Sequence, residues 1–111
     1  MTRSVSILVL ILAAILETGG DAIMRLGLLS PSSGKRALLF ATAGLVLFAY
    51  GWTVNAPPWQ FGKLLGTYVV FVFVVAQLIS WLVFRQPPSR VTLIGGSVML
   101  AGAAIISFGA R

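Results

Sequence analysis

Two carboxylates stand alone in this sequence. Glu17 and Asp21 are the only acidic residues among 111, and both fall within one long apolar stretch. Their i,i+4 spacing puts them on the same face of a helix, with Gly20 and Met24 on that stripe and Arg25 at its edge. Gly19 and Gly20 remove bulk beside the carboxylates, leaving room for a ligand or a neighbouring helix. A carboxyl group among apolar side chains is disfavoured in its charged form. Such a group can be protonated or bare, and can exchange a proton for a cation.

Other chemistries are excluded by composition. Without His or Cys there is no ordinary zinc, haem or iron–sulfur site, no cysteine nucleophile and no Ser–His–Asp triad. Two acids do not build a calcium cage. Neither enzyme activity, a metal nor a cofactor is expected. The net charge is +6, but the basic residues are scattered singly between apolar runs. They read as membrane-interface anchors rather than as a nucleic-acid footprint.

Glu17 and Asp21 must be positioned by membrane helices. Hydrophobic residues make up 59% of the chain and charged ones 9%, far from the balance of a soluble domain. A membrane-crossing helix needs ~20 mostly apolar residues, and four stretches qualify: 4–28, 37–54, 62–84 and 91–110. The fold class expected is all-α, a single four-helix membrane domain over 1–111 with short loops. Ser30-Pro31-Ser32-Ser33-Gly34, Asn55-Ala56-Pro57-Pro58 and Arg85-Gln86-Pro87-Pro88 supply the breaks. The first stretch resembles a signal peptide in outline but lacks a small-x-small cleavage site, and reads as a span. The β-branched run from Tyr68 to Val75 favours a strand by propensity, yet in lipid only a helix satisfies its own backbone.

Glu17 lies about twelve residues into the first span, roughly 18 Å along its axis and near mid-membrane. Insertion there costs about 2.5–3.5 kcal/mol for a charged residue, so intramembrane acids mark function. The alternative for Glu17 is a packing carboxyl bonded to Gln77 or Ser80. Asp21, nearer the interface, reads first as an ion pair with Arg25. On the third span, Tyr68 and Gln77 are the candidates to line a cavity with Glu17. Thr42, Tyr50, Thr67, Ser80 and Ser97 default to bonding their own helix or bridging helices. Trp52, Trp59 and Trp81 read as interfacial anchors.

The last span carries small residues at a seven-residue period: Gly95, Gly102 and Gly109 in one column, Gly96, Ala103 and Ala110 beside it. Such columns let two helices approach closely. A homodimer is expected, which would supply a second Glu17 and a chamber between protomers; packing within the protomer is the alternative. Arg25, Lys35, Arg36, Arg85 and Arg90 belong with the first and third loops, and Arg3, Lys63 and Arg111 with the other side. The first and third loops therefore lean cytoplasmic by a weak bias.

Taken in order, these residues resemble the small multidrug resistance family of the drug–metabolite transporter superfamily. Glu17, Gly20 and Met24-Arg25 are similar to the family's membrane glutamate, the glycine three on, and its Met-Lys pair. Ser80-Trp81-x-x-Phe84-x-Gln86 resembles its S-W-x-x-F-x-Q stretch, and Gly95-x6-Gly102-Ala103 its glycine heptad. Leu16 replaces the usual Ala, Asp21 adds an acid, and Leu65-Gly66-Thr67-Tyr68-Val69-Val70 stands where an aromatic box with tryptophan is typical. Gly62-Lys63 and Tyr68 look more like the YnfA-like branch. The resemblance implies a proton-coupled exporter of small hydrophobic or cationic compounds in the bacterial inner membrane, working as an antiparallel homodimer by alternating access. A non-catalytic subunit or lipid-handling accessory of the same superfamily is the second reading, and an oligomeric pore former the third.

Overall fold

The computed structural model describes residues 1–109, so Ala110 and Arg111 lie outside the described residues. Four α-helices make up the fold: α1 (Arg3–Leu29), α2 (Ser33–Val54), α3 (Phe61–Leu82) and α4 (Arg90–Gly109). No strand occurs among the described residues, and all four helices are long and apolar enough to cross a bilayer. The Tyr68–Val75 run is helical throughout.

Boundaries follow from end chemistry. The Thr2 hydroxyl accepts from the Val5 amide at 3.2 Å, and Ser32 accepts from Lys35 at 3.4 Å; both side chains take up an orphan first-turn donor. This second cap starts α2 at Ser33, four residues before the apolar run begins, because Lys35 and Arg36 belong to the helix although they belong outside hydrocarbon. Ser89 accepts from Thr92 at 3.1 Å and opens α4. At the other extreme, α3 stops at Leu82, two residues short of the apolar run's end. There Arg85 adopts a left-handed conformation (φ 56°), the Gln86 amide donates to the Ser80 carbonyl at 2.9 Å, and the Ser80 hydroxyl donates to the Gln86 carbonyl at 3.2 Å. Ser80 and Gln86 of the sequence motif are thus two halves of a helix-ending clasp.

The α1–α2 turn is closed by Arg36. Its Nε donates to the Gly27 carbonyl at 3.2 Å, and its Nη2 to Leu28 at 3.2 Å and Ser30 at 3.1 Å. One guanidinium thereby gathers the carbonyls at the end of α1, of which that of Gly27 also accepts from the Ser30 amide at 3.2 Å, and its charge complements the negative end of the helix dipole. Arg36→Ala is expected to lower stability by about 1–2 kcal/mol, discounted for the exposure of the side chain. Arg36→Lys should recover only part of this, because an ammonium lacks the planar fork. Denaturation of the purified protein in mixed detergent micelles measures both; equal stability of all three proteins would refute the role.

Packing is open rather than ring-like. α1 lies against α2 and α3, and α4 lies against α3, giving a slab of 49 × 34 × 18 Å. Leu10, Ala13 and Ala14 of α1 meet Val54 of α2 and Leu64 and Tyr68 of α3 in the buried cluster. The two alanines allow the close approach. Outward faces are apolar: Leu45, Phe48 and Ile105 each expose more than two thirds of their surface, a pattern that fits lipid rather than water. Trp52 and Trp81 are exposed near span ends, as expected of anchors. Trp59 differs: it packs against the core cluster, with the Lys63 ammonium 5.0 Å from its ring centre.

Candidate functional site

The middle of α1 presents Glu17 half-buried beside two tyrosines. Tyr50 comes from the last turns of α2 and Tyr68 from the first third of α3. Their hydroxyls lie near the Glu17 carboxylate. The two rings stack at 6.0 Å between centres and 27° between planes. This stack links α2 to α3 across the α1 surface that carries Glu17. The Tyr68 hydroxyl is buried and lacks a hydrogen-bond partner in this arrangement. No Lys or Arg forms an ion pair with Glu17 among the described residues. A carboxylate, two phenol hydroxyls and two ring faces therefore converge with no fixed countercharge among the described residues. Such a set can bind a proton, or a cation by charge and by ring face.

Asp21 occupies a different place. It is exposed and lines a cleft of about 200 Å³ between α1 and the end of α3, with Thr18, Arg25, Ser80, Phe84 and Gln86. The expected Asp21–Arg25 ion pair does not form. The Arg25 guanidinium instead lies over the Phe84 ring, 5.5 Å from its centre, which ties α1 to the α3 clasp. The four-residue spacing permits the pair, but the aromatic face offered by α3 draws the guanidinium away.

Gly20 serves the α1–α2 contact. A Cβ there would stand 2.7 Å from Leu47 Cδ2 and 2.8 Å from its Cγ, so the missing side chain admits a neighbouring helix. Gln77 is half-buried and is not brought to Tyr68. Nine residues separate the two, about 180° around a helix, so they lie on opposite sides of α3. The alternative bonding of Glu17 to Ser80 is also not found, since the Ser80 hydroxyl is engaged by Gln86.

On α4, Gly96 and Ala103 are buried. A Cβ on Gly96 would collide with the ring of Phe73 on α3. Gly95, Gly102 and Gly109 have nothing within 4 Å of a built Cβ. One column is therefore used inside the protomer and the other is free.

Residues 3–111 match the family model described as "Uncharacterised BCR, YnfA/UPF0060 family". The chain belongs to the YnfA/UPF0060 family. Relatives named UPF0060 membrane protein include one from Saccharopolyspora erythraea, 35% identical over 96% of this chain and 94% of its own. Another, from Clostridium perfringens, is 32% identical over 96% and 95%, and one from Herpetosiphon aurantiacus is 28% identical over 96% of both chains. No solved structure matches. With four spanning helices and relatives of this name, this YnfA/UPF0060 protein is a multi-pass membrane protein.

Tyr50 is the residue of this site that sequence reasoning passes over. The available signal was its rarity, because the chain has only two tyrosines and both lie within spans. What the sequence does not carry is that α2 and α3 lean together over α1.

Proposed function

We propose that this YnfA/UPF0060 protein is a proton-coupled secondary transporter that exports small hydrophobic or cationic compounds. The observation that carries the reading is the Glu17 carboxylate, mid-span, near two tyrosine hydroxyls and lacking a cationic partner among the described residues. A bare carboxylate in hydrocarbon is expensive, so the site is neutralised either by a proton or by a cation. Mutual exclusion of the two is the coupling: cargo binding from one side releases a proton, and protonation from the other displaces cargo.

A single open slab does not enclose such a site from both sides. The reading therefore includes a homodimer, with the free Gly95, Gly102 and Gly109 column as its seam and two Glu17 carboxylates in the chamber. Alternating exposure of that chamber would follow from rocking of the protomers against each other. The resemblance to the small multidrug resistance family supports the same assignment and a bacterial inner-membrane setting. Tyr50 and Tyr68 would supply ring faces to a cation. Asp21, in its exposed cleft, would act as a way-station on the side of the first and third loops.

Proteoliposomes loaded at low pH and diluted into buffer of higher pH test the reading with a panel of quaternary ammonium and aromatic cations. Uptake against the proton gradient is expected, and is expected to stop when a protonophore collapses the gradient. Leak-level flux for every cation, unaffected by the gradient, would reject proton-coupled transport.

A further inference from the structure

A second concavity lies away from Glu17. It is a groove of about 310 Å³ between α1 and α4, floored by α3. Ile7 forms one wall, Leu100 and Ala104 the other, and Thr67 and Phe71 the floor. α1 and α4 do not pack directly along their length. They are bridged at one end, where Arg3 Nη2 donates to the Ser107 carbonyl at 3.2 Å and to its hydroxyl at 3.0 Å. The guanidinium also lies 4.3 Å from the centre of the Phe108 ring.

Two features of the groove lack partners. Arg3 has five N–H donors, of which the bridge uses only those on Nη2. The acidic side chains, Glu17 and Asp21, lie far along α1, and among the described residues no carboxylate forms an ion pair with Arg3. Thr67 is 3% exposed, and its hydroxyl has no hydrogen-bond partner. Thr18, Thr42 and Thr53 behave differently, each donating to the carbonyl four residues back. In a membrane helix that self-bond is the default for a hydroxyl, and Thr67, which lines the groove, leaves it unmade.

We infer that this groove binds one anionic phospholipid per protomer, with phosphate on Arg3, an ester carbonyl on the Thr67 hydroxyl, and an acyl chain along Ile7, Phe71 and Leu100. The order of chemistries along the groove matches the order along a lipid. Arg3 begins α1 at the membrane surface. Thr67 lies six residues into α3, about 9 Å deeper, at the level beneath a headgroup. Beyond it the walls are aliphatic and aromatic. The exposed faces of Leu100 and Ala104 leave the groove open sideways, so a lipid can enter from the bilayer.

The test uses the full chain, delipidated in mild detergent and then supplied with phosphatidylglycerol or phosphatidylcholine, with bound lipid counted by native mass spectrometry. Retention of one phosphatidylglycerol per protomer in preference to phosphatidylcholine is expected. Arg3→Gln should lower that retention about fivefold, the worth of one interfacial cation, and Ala104→Phe, at an exposed wall position, should block the groove. Glycerol phosphate without acyl chains should not compete. Equal retention by Arg3→Gln and Ala104→Phe proteins of native helicity would overturn the site, as would equal retention of the two lipids. Competition by glycerol phosphate would overturn the acyl-chain assignment. If the variants do not fold, phosphatidylglycerol with a photoreactive acyl chain is applied to the wild type. Label is expected on the segments carrying Phe71 and Leu100, and label confined to other faces would reject the groove.

Discussion

Glu17→Gln should abolish proton-driven flux while leaving the fold intact. The amide matches the carboxyl in shape, cannot bear a negative charge, and relieves the cost of burying one. If Glu17 is where proton and cargo compete, the wild type should bind a cation more weakly as pH falls, because protons then occupy the carboxylate. The Glu17→Gln variant should bind cations weakly at every pH and show no such slope. Equilibrium binding across a pH series, followed by flux in proteoliposomes, separates the outcomes. Unchanged gradient-driven uptake by the variant would remove Glu17 from the mechanism. Tyr50→Phe and Tyr68→Phe keep the ring stack and delete one hydroxyl each. Their losses should be graded, about fivefold in cation affinity, the worth of roughly 1 kcal/mol of hydrogen bonding. This gradation distinguishes the residue that carries the exchanged charge from those that shape its surroundings.

The parts of this site differ in how far a sequence can reveal them. Glu17 is legible because hydropathy fixes helix positions in a bilayer, and depth along a helix follows from residue count. The four spans are legible for the same reason. Helix ends are less so, since they depend on Ser32, Ser80 and Gln86 finding particular backbone groups. The opposition of Gln77 and Tyr68 on α3 follows from helix arithmetic alone, and pairing them neglects the turn of roughly 100° per residue. Tyr50 required the lean of α2 over α1, which Gly20 permits by admitting Leu47. A glycine announces that something approaches closely; the identity of that neighbour is a tertiary fact. Arg25 teaches the same lesson for charge, because its aromatic partner Phe84 is almost sixty residues away in the chain while Asp21 is four.

Gly96→Leu and Gly102→Leu should fail in different ways, although both add one side chain to the same helix. At Gly96 the new Cβ meets the Phe73 ring. Relief requires displacing a large, stiff aromatic or separating α4 from α3. Overpacking of this kind typically costs about 1–3 kcal/mol and more where the neighbour is rigid, so the protomer itself should lose stability. At Gly102 there is nothing within 4 Å, and the protomer should keep its stability and its Tyr50–Tyr68 stack. What Gly102→Leu should remove is the close helix approach along the free column. Cross-linking in membranes and sedimentation in detergent are expected to show a monomer for Gly102→Leu at concentrations where the wild type is a dimer. Proton-driven flux should fall with the dimer, while denaturation of the isolated protomer stays unchanged. A stable dimeric Gly102→Leu protein would place the seam elsewhere. The column of Gly95, Gly102 and Gly109, which meets nothing inside the protomer, would then face lipid rather than a second helix.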